Sequence, residues 1–343
     1  MTATSSASIS ARRRRAILGL IAILAVAGPA GCVAAASNPT AMVSGPAAQP
    51  TASSRPAGAR PPRRTARTTA GGAPYAVGEQ VFPFVDRSRT IKYPGHARQA
   101  RPLVTVVRYP IGVRGPVPLI VFGHGFAVTP AYYWRLLRSW AQAGYVVAAP
   151  VFPLENQHAP GGPNESDLVN QPRDMSFVIT QMLALSSSGR GPLAGLISAS
   201  KIGVSGQSDG GETALAVAYD RYYRDSRIRA AAILSGAELP GAGHFYFPVS
   251  SPPLLATQGT ADTVNRPHFT YDFFAAAPRP KYLLNLLGAP HLPPYTSEQP
   301  QLSIVGRVTT AFFDGYLKGQ SAGIGRMVAK GNVAGVASVT ARR

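Results

Sequence analysis

The chain has 343 residues, one cysteine and a formal net charge of +19. That length fits one α/β domain of about 250 residues with appendages as well as it fits two domains, and a lone cysteine excludes an internal disulfide framework. Nine arginines and no acid fall in the first 72 residues, leaving 25 basic against 15 acidic groups beyond them; these are scattered singly, not clustered with aromatics. That distribution argues against a nucleic-acid groove and for a solvated basic surface, attracted at most to anionic polymers.

In chain order, Arg12 to Arg15 precede a twelve-residue apolar run, Ala16 to Ala27, followed by small residues. This is the shape of an export signal, residues 1–36, and the run is short for a bilayer span. Arg14-Arg15-Ala16-Ile17-Leu18 also matches the twin-arginine pattern, so either export route stays open. Pro29-Ala30-Gly31-Cys32 resembles a lipobox with proline in place of the aliphatic residue; lipidation at Cys32, which would give membrane attachment, stands beside simple cleavage around Ala34 to Ser37. Residues 37–72, rich in Ala, Pro, Ser, Thr and Arg without apolar periodicity, predict a disordered linker.

From residue 73 to about 320 short apolar runs alternate with helix-length segments, the signature of an α/β fold with a mostly parallel central sheet and helices on both faces. The expected strands are Leu103 to Tyr109, Pro118 to Phe122, Tyr145 to Ala149, Lys201 to Ser205, Ala230 to Ser235, Leu254 to Gln258 and Tyr282 to Leu287. Expected helices cover Ala131 to Ala143, Asp174 to Leu185, Gly211 to Asp220 and Leu302 to Leu317, with Trp134 and Trp140 as core. Only about 20 residues separate the strands at Ala230 and Leu254, which leaves no room for a large lid domain. Residues 321–343 are read as a tail.

Gly206-Gln207-Ser208-Asp209-Gly210 follows an expected strand, the sequence shape of a nucleophile elbow in which a sharp turn exposes Ser208. A serine nucleophile needs a base, an acid that orients the base, and donors for the oxyanion. His291 follows the strand ending near Leu287 and is the expected base; His268, at the start of a helix, is the weaker choice. Asp262, just past the carboxyl end of Leu254 to Gln258, is the expected acid, although an Asx-turn or helix cap is its simpler role. Glu238 is the reserve acid, and Asp272 is expected in solvent. The oxyanion donors are the backbone amides of Asp209 and of Phe126, in the loop Gly123-His124-Gly125-Phe126. His124 precedes the serine and reads as a residue that shapes this loop. No cofactor or metal is expected, because the chain lacks H-E-x-x-H and any cysteine pair.

Taken together, His124-Gly125-Phe126, Ala143-Gly144-Tyr145-Val146-Val147, Pro172-Arg173-Asp174, the Ser208 elbow, Gly259-Thr260-Ala261-Asp262 and Gly288-Ala289-Pro290-His291 resemble the α/β-hydrolase superfamily. The likeness is to dienelactone-hydrolase-like, platelet-activating-factor-acetylhydrolase-like, chlorophyllase-like and cutinase-like polyester hydrolases, over about Tyr75 to Lys318. It implies an exported serine hydrolase acting on small, lipid or polyester esters; amide hydrolysis, or a non-catalytic envelope-binding role on the same scaffold, are the alternatives. Two departures stand out: Gln207 where histidine is common, and an acid, Asp209, directly after the nucleophile. Ser208 in place of cysteine argues against true dienelactone hydrolysis.

Overall fold

The computed structural model describes residues 73–239, 245, 247–248 and 250–343. The expected export signal, Cys32 and the linker lie outside the described residues. Nine strands form one sheet in the order β1-β2-β4-β3-β5-β6-β7-β8-β9. They are β1 Val77–Ile91, β2 Gln99–Pro110, β3 Val117–Gly123, β4 Val146–Pro150, β5 Ile197–Gln207, β6 Ile228–Leu234, β7 Leu254–Gly259, β8 Lys281–Leu286 and β9 Ala337–Arg342. From β4 to β8 every pairing is parallel, while β1, β2 and β9 pair antiparallel at the two margins. This is the α/β-hydrolase architecture that the sequence predicts.

The central strands are buried on both faces, and alternate residues separate two cores. Ile120 and Phe122 of β3 point to one, Leu119 and Val121 to the other. Helices α1 (Trp134–Gln142), α6 (Gln301–Leu317) and α7 (Ala322–Gly331) cover the first face; α2 (Gln171–Ser187), α3 (Asp209–Tyr219) and α4 (Pro267–Ala276) cover the second. A single turn, α5 (Pro293–Thr296), precedes α6. Every residue of α3 is buried, which explains its run of small residues: bulkier side chains on a helix enclosed all round would overpack it. Trp140 is fully buried and donates its indole N–H to the Thr309 hydroxyl at 2.9 Å, fastening α1 to α6.

Three expectations change. Trp134 is 46% exposed, with the Arg135 guanidinium 5.2 Å from its ring centre. A 3₁₀ turn at Pro130–Tyr133 delays the helix, so Trp134 is its first residue, at the margin of the buried stripe Leu136, Leu137, Trp140 and Ala141. The second change is the segment 321–343, which is no loose tail: it supplies α7 and the edge strand β9, registered from Lys281↔Arg342 to Leu286↔Ala337. Two of its glycines serve close packing, since a Cβ at Gly323 would lie 2.7 Å from the Ala311 carbonyl oxygen in α6 and one at Gly331 would lie 2.2 Å from Val339. The third is β1, an unexpected strand. Its outer face exposes Val81 and Val85, it carries Pro83, and its polar residues obscure the alternation; an edge strand tolerates all three.

The β1–β2 hairpin is pinned to the second face by charge. Arg101 of β2, 2% exposed, donates to both oxygens of Asp167 at 3.0 and 2.6 Å and to both of Asp174 at 2.7 and 2.6 Å. Arg89 of β1 adds 2.6 Å bonds to Asp174 and Asp86. Removing one member of a buried ion network leaves the others uncompensated, a larger effect than the net worth of the network. Arg101→Ala is therefore expected to destabilise the fold by about 3–5 kcal/mol, read from the midpoint of denaturant unfolding, with Arg101→Lys only a partial rescue because an ammonium lacks the planar fork.

Candidate active site

Strands β3 and β5 are neighbours, paired Val121↔Val204, Phe122↔Ser205 and Gly123↔Gly206. The loops leaving their carboxyl ends therefore emerge side by side, at the place where such sheets gather functional groups. Between the end of β5 at Gln207 and the start of α3 at Asp209, Ser208 has φ 56° and ψ −125°. A positive φ is costly for a residue with a Cβ and persists only where the surroundings impose it. Here the surroundings are backbone: a Cβ on Gly206 would lie 2.0 Å from the Gly210 carbonyl oxygen, and one on Gly210 would lie 2.2 Å from the Gly123 carbonyl group. Ser208 is held further by its amide, which donates to the Leu234 carbonyl oxygen at 3.0 Å, and by its own carbonyl oxygen, which accepts from the Glu212 amide at 2.9 Å.

Three of the expected residues meet. The Ser208 Oγ lies 2.8 Å from His291 Nε2, and His291 Nδ1 lies 2.7 Å from Asp262 Oδ2. All three are nearly buried, at 3%, 5% and 3% exposure, so little water competes for these bonds. Asp262 combines a turn with a contact to the imidazole. Its Oδ1 accepts from the amides of Val264 and Asn265 at 2.9 Å, closing a turn, while Oδ2 faces the imidazole and accepts a longer, 3.3 Å bond from Gln258 Nε2. A carboxylate held on both oxygens cannot rotate away from its histidine. The loops carrying Asp262 and His291 are also bonded to each other: Ala261 donates to Ala289, Thr260 to Leu286, and the Gly288 amide to the Thr260 hydroxyl at 2.8 Å.

The other candidates lie elsewhere. Glu238 is exposed with its charge acting against Asp272 and Asp220, and no hydrogen bond joins it to His291. His268 is exposed at the start of α4, its ring 4.2 Å from that of Phe269, and Asp272 is exposed too. Asp209 opens α3, so its amide sits at the positive end of that helix. Phe126 is buried, and its amide donates to no acceptor among the described residues.

Buried side chains around the expected residues hold the loop in place, His124 among them as the sequence predicts. His124, fully buried, donates from Nδ1 to the Gly125 carbonyl oxygen at 2.8 Å and accepts at Nε2 from the Phe152 amide at 2.9 Å. The bond accepted at Nε2 requires the neutral ring, and burial pushes its pKa down to about 4. Tyr133, also fully buried, accepts from the Gly125 amide at 3.3 Å and donates to Gln207 Oε1 at 2.7 Å. Gln207 Nε2 in turn donates to the His291 carbonyl oxygen at 3.1 Å. Gln207 thus links the loop after β3 to the loop carrying the imidazole; its unusual place before the serine was the available signal. Tyr133 gave none, being one of 14 tyrosines in the chain. Among the described residues no group of three or more His, Cys, Asp or Glu is placed to hold a metal ion.

A hydroxyl in contact with an imidazole that is itself oriented by a carboxylate can be deprotonated as it attacks an electrophile. The sequence model of the chlorophyllase family matches residues 88–265, just over half of the 343-residue chain. The match takes in the β3 loop, the elbow and Asp262, and ends before His291. No curated protein matches the chain.

The neutrality of His124 has a consequence for stability. Its folded pKa lies below the unfolded value, so its contribution is complete above about pH 6.5 and is lost as pH falls through about 4. Stability is expected to fall by up to about 3 kcal/mol over that interval from this group, and the slope of unfolding free energy against pH is expected to flatten there in His124→Asn.

Proposed function

The chain belongs to the chlorophyllase family of esterase-type α/β hydrolases, and we propose that it is an exported serine hydrolase of carboxylic esters working through an acyl-enzyme. The observation that carries this reading is the unbroken line Ser208 Oγ, His291, Asp262, at 2.8 and 2.7 Å, in the chain order serine, acid, histidine. Export is supported by the arginine run and apolar segment at residues 12–27.

In the proposed reaction, Ser208 Oγ bonds to the acyl carbon as His291 Nε2 takes its proton. Asp262 holds the proton on Nδ1, which keeps Nε2 free to accept, and stabilises the imidazolium that forms. The carbonyl oxygen becomes an oxyanion received by the amides of Asp209 and Phe126. These donors are fixed before the reaction and need no reorganisation as charge develops. The intermediate collapses by breaking the bond to the alcohol oxygen, which takes the proton from His291. Water then repeats the sequence: it loses a proton to His291, attacks the acyl carbon, and releases the carboxylic acid and Ser208. Every proton taken up by the histidine is returned, so no cofactor enters the balance.

Hydrolysis of p-nitrophenyl esters of graded chain length tests the assignment. Ser208→Ala is expected to lose kcat by on the order of 10⁴ or more, and Asp262→Asn by about 10⁴ at neutral pH. Glu238→Gln is expected to stay within about twofold of the wild type, as an exposed substitution should. Ser208 labelled by a fluorophosphonate in the wild type but not in Ser208→Ala separates an enzyme from an inert scaffold. Undiminished turnover in Ser208→Ala would sink the nucleophile assignment, and a collapse in Glu238→Gln would move the acid.

A further inference from the structure

Behind the elbow lies a titratable group that the reaction above does not use. Glu155, in the loop after β4, has no exposed surface, and its carbonyl oxygen accepts from the Ala127 amide at 2.8 Å, joining that loop to the Phe126 loop. Its Oε2 accepts a hydrogen bond from Gln171 Nε2 at the start of α2, and Gln171 Oε1 accepts from the Thr213 hydroxyl of α3 at 2.8 Å. Its Oε1, equally buried, has no hydrogen-bond partner among the described residues.

The charged groups bearing on Glu155 are acids: Asp209 on α3, and Asp167 and Glu165 in the 3₁₀ segment Glu165–Asn170 before α2. Glu212, one turn further along α3, is a fourth buried or nearby acid, and His124 on the β3 loop is neutral near pH 7. An ionised Glu155 would thus combine full desolvation, an unsatisfied oxygen and a neighbouring like charge. Each of the three disfavours the anion. With a proton on Oε1 the group instead becomes a donor beside an acceptor, and the two acids attract.

We propose that Glu155 is a positioning residue that carries a proton at neutral pH and donates it to the Asp209 carboxylate, so fixing the first turn of α3 and the Ser208 turn it adjoins. The proposal rests on Ser208 being the nucleophile and the Asp209 amide an oxyanion donor. It also accounts for an acid beside the nucleophile, because a carboxylate tied to a neutral partner behind the elbow is drawn away from the oxyanion. Burial and the Asp209 charge hold the Glu155 pKa well above the ordinary carboxylate range. The folded chain binds this proton more tightly than the unfolded chain, so the contribution declines as pH rises and is gone once pH passes the raised pKa.

The test compares wild type, Glu155→Gln and Glu155→Ala for p-nitrophenyl butyrate hydrolysis across pH 5 to 10, with infrared spectra of each protein. Glutamine is neutral and keeps a donor, so Glu155→Gln should hold kcat within about threefold at pH 7 and lose the alkaline fall in kcat due to Glu155. Glu155→Ala should lose kcat by about tenfold or more with KM little changed, the effect of one buried hydrogen bond. The wild type at pH 7 should show the carbonyl stretch of an un-ionised carboxyl that Glu155→Gln lacks. That band is expected in Ser208→Ala too, which separates its absence from a failure of the nucleophile assignment. Equal damage in both Glu155 variants, an unchanged alkaline fall in Glu155→Gln, or no such band at pH 7 would overturn the proposal. Should Glu155→Gln not fold, Asp209→Asn decides: removing the neighbouring charge should move the loss of the band to lower pH, and an unmoved band overturns the pairing.

Discussion

Three glycine backbones in contact govern the geometry of this protein. Gly206 and Gly210 flank Ser208, Gly210 rests on Gly123, and no Cβ fits at either contact. Contact between main chains brings α3 closer to the sheet than any side chain would permit, and the turn that joins them has no room for an ordinary conformation. The positive φ of Ser208 is thus a result of packing. Because Gly123 ends β3, the same contact sets the Phe126 loop beside the serine, and one steric constraint positions both Ser208 and that loop.

A second layer of polar bonds keeps those pieces in register. Tyr133 and Gln207 run from the Gly125 amide to the His291 carbonyl oxygen, and His124 ties Gly125 to Phe152. Each of these side chains is buried, so each bond acts in a medium where water is a poor competitor. Gln207 has both an acceptor and donors, and it can bridge a phenol on one side and a carbonyl on the other; an imidazole in one tautomer offers a single donor. The departure from the resemblance at this position has a structural role in this protein.

The central fold was legible because its signals are strong ones. Near-continuous apolar runs separated by helical spacing mark the strands that are buried on both faces, and β3 to β8 all fall where those runs stand. Ser208, Asp262 and His291 were legible because each directly follows such a strand, where the chain must turn at the carboxyl edge. What stayed hidden lies at the margins or acts at a distance. β1 mixes Glu79, Gln80, Pro83 and Asp86 among its apolar residues, and α7 is rich in glycine and alanine, a composition shared by tails and by tightly packed segments. Glu155 and Tyr133 reach the site only through the tertiary fold, and no local spacing announces them.

The loops carrying Asp262 and His291 are stitched to one another more densely than to the serine. Ala261, Thr260 and Gly288 bond across between them, and the Gly259 α-carbon packs so closely on the Ala289 carbonyl that a Cβ would lie 2.4 Å away. The two loops form one block at the ends of β7 and β8, while Ser208 belongs to another, built from β3, β5 and α3. Any motion that opened the site would part these blocks along their seam, which Gln207 crosses as a strap. The histidine and aspartate would then travel together, so the first bond to lengthen would be the one to the serine, and the imidazole would keep its orientation.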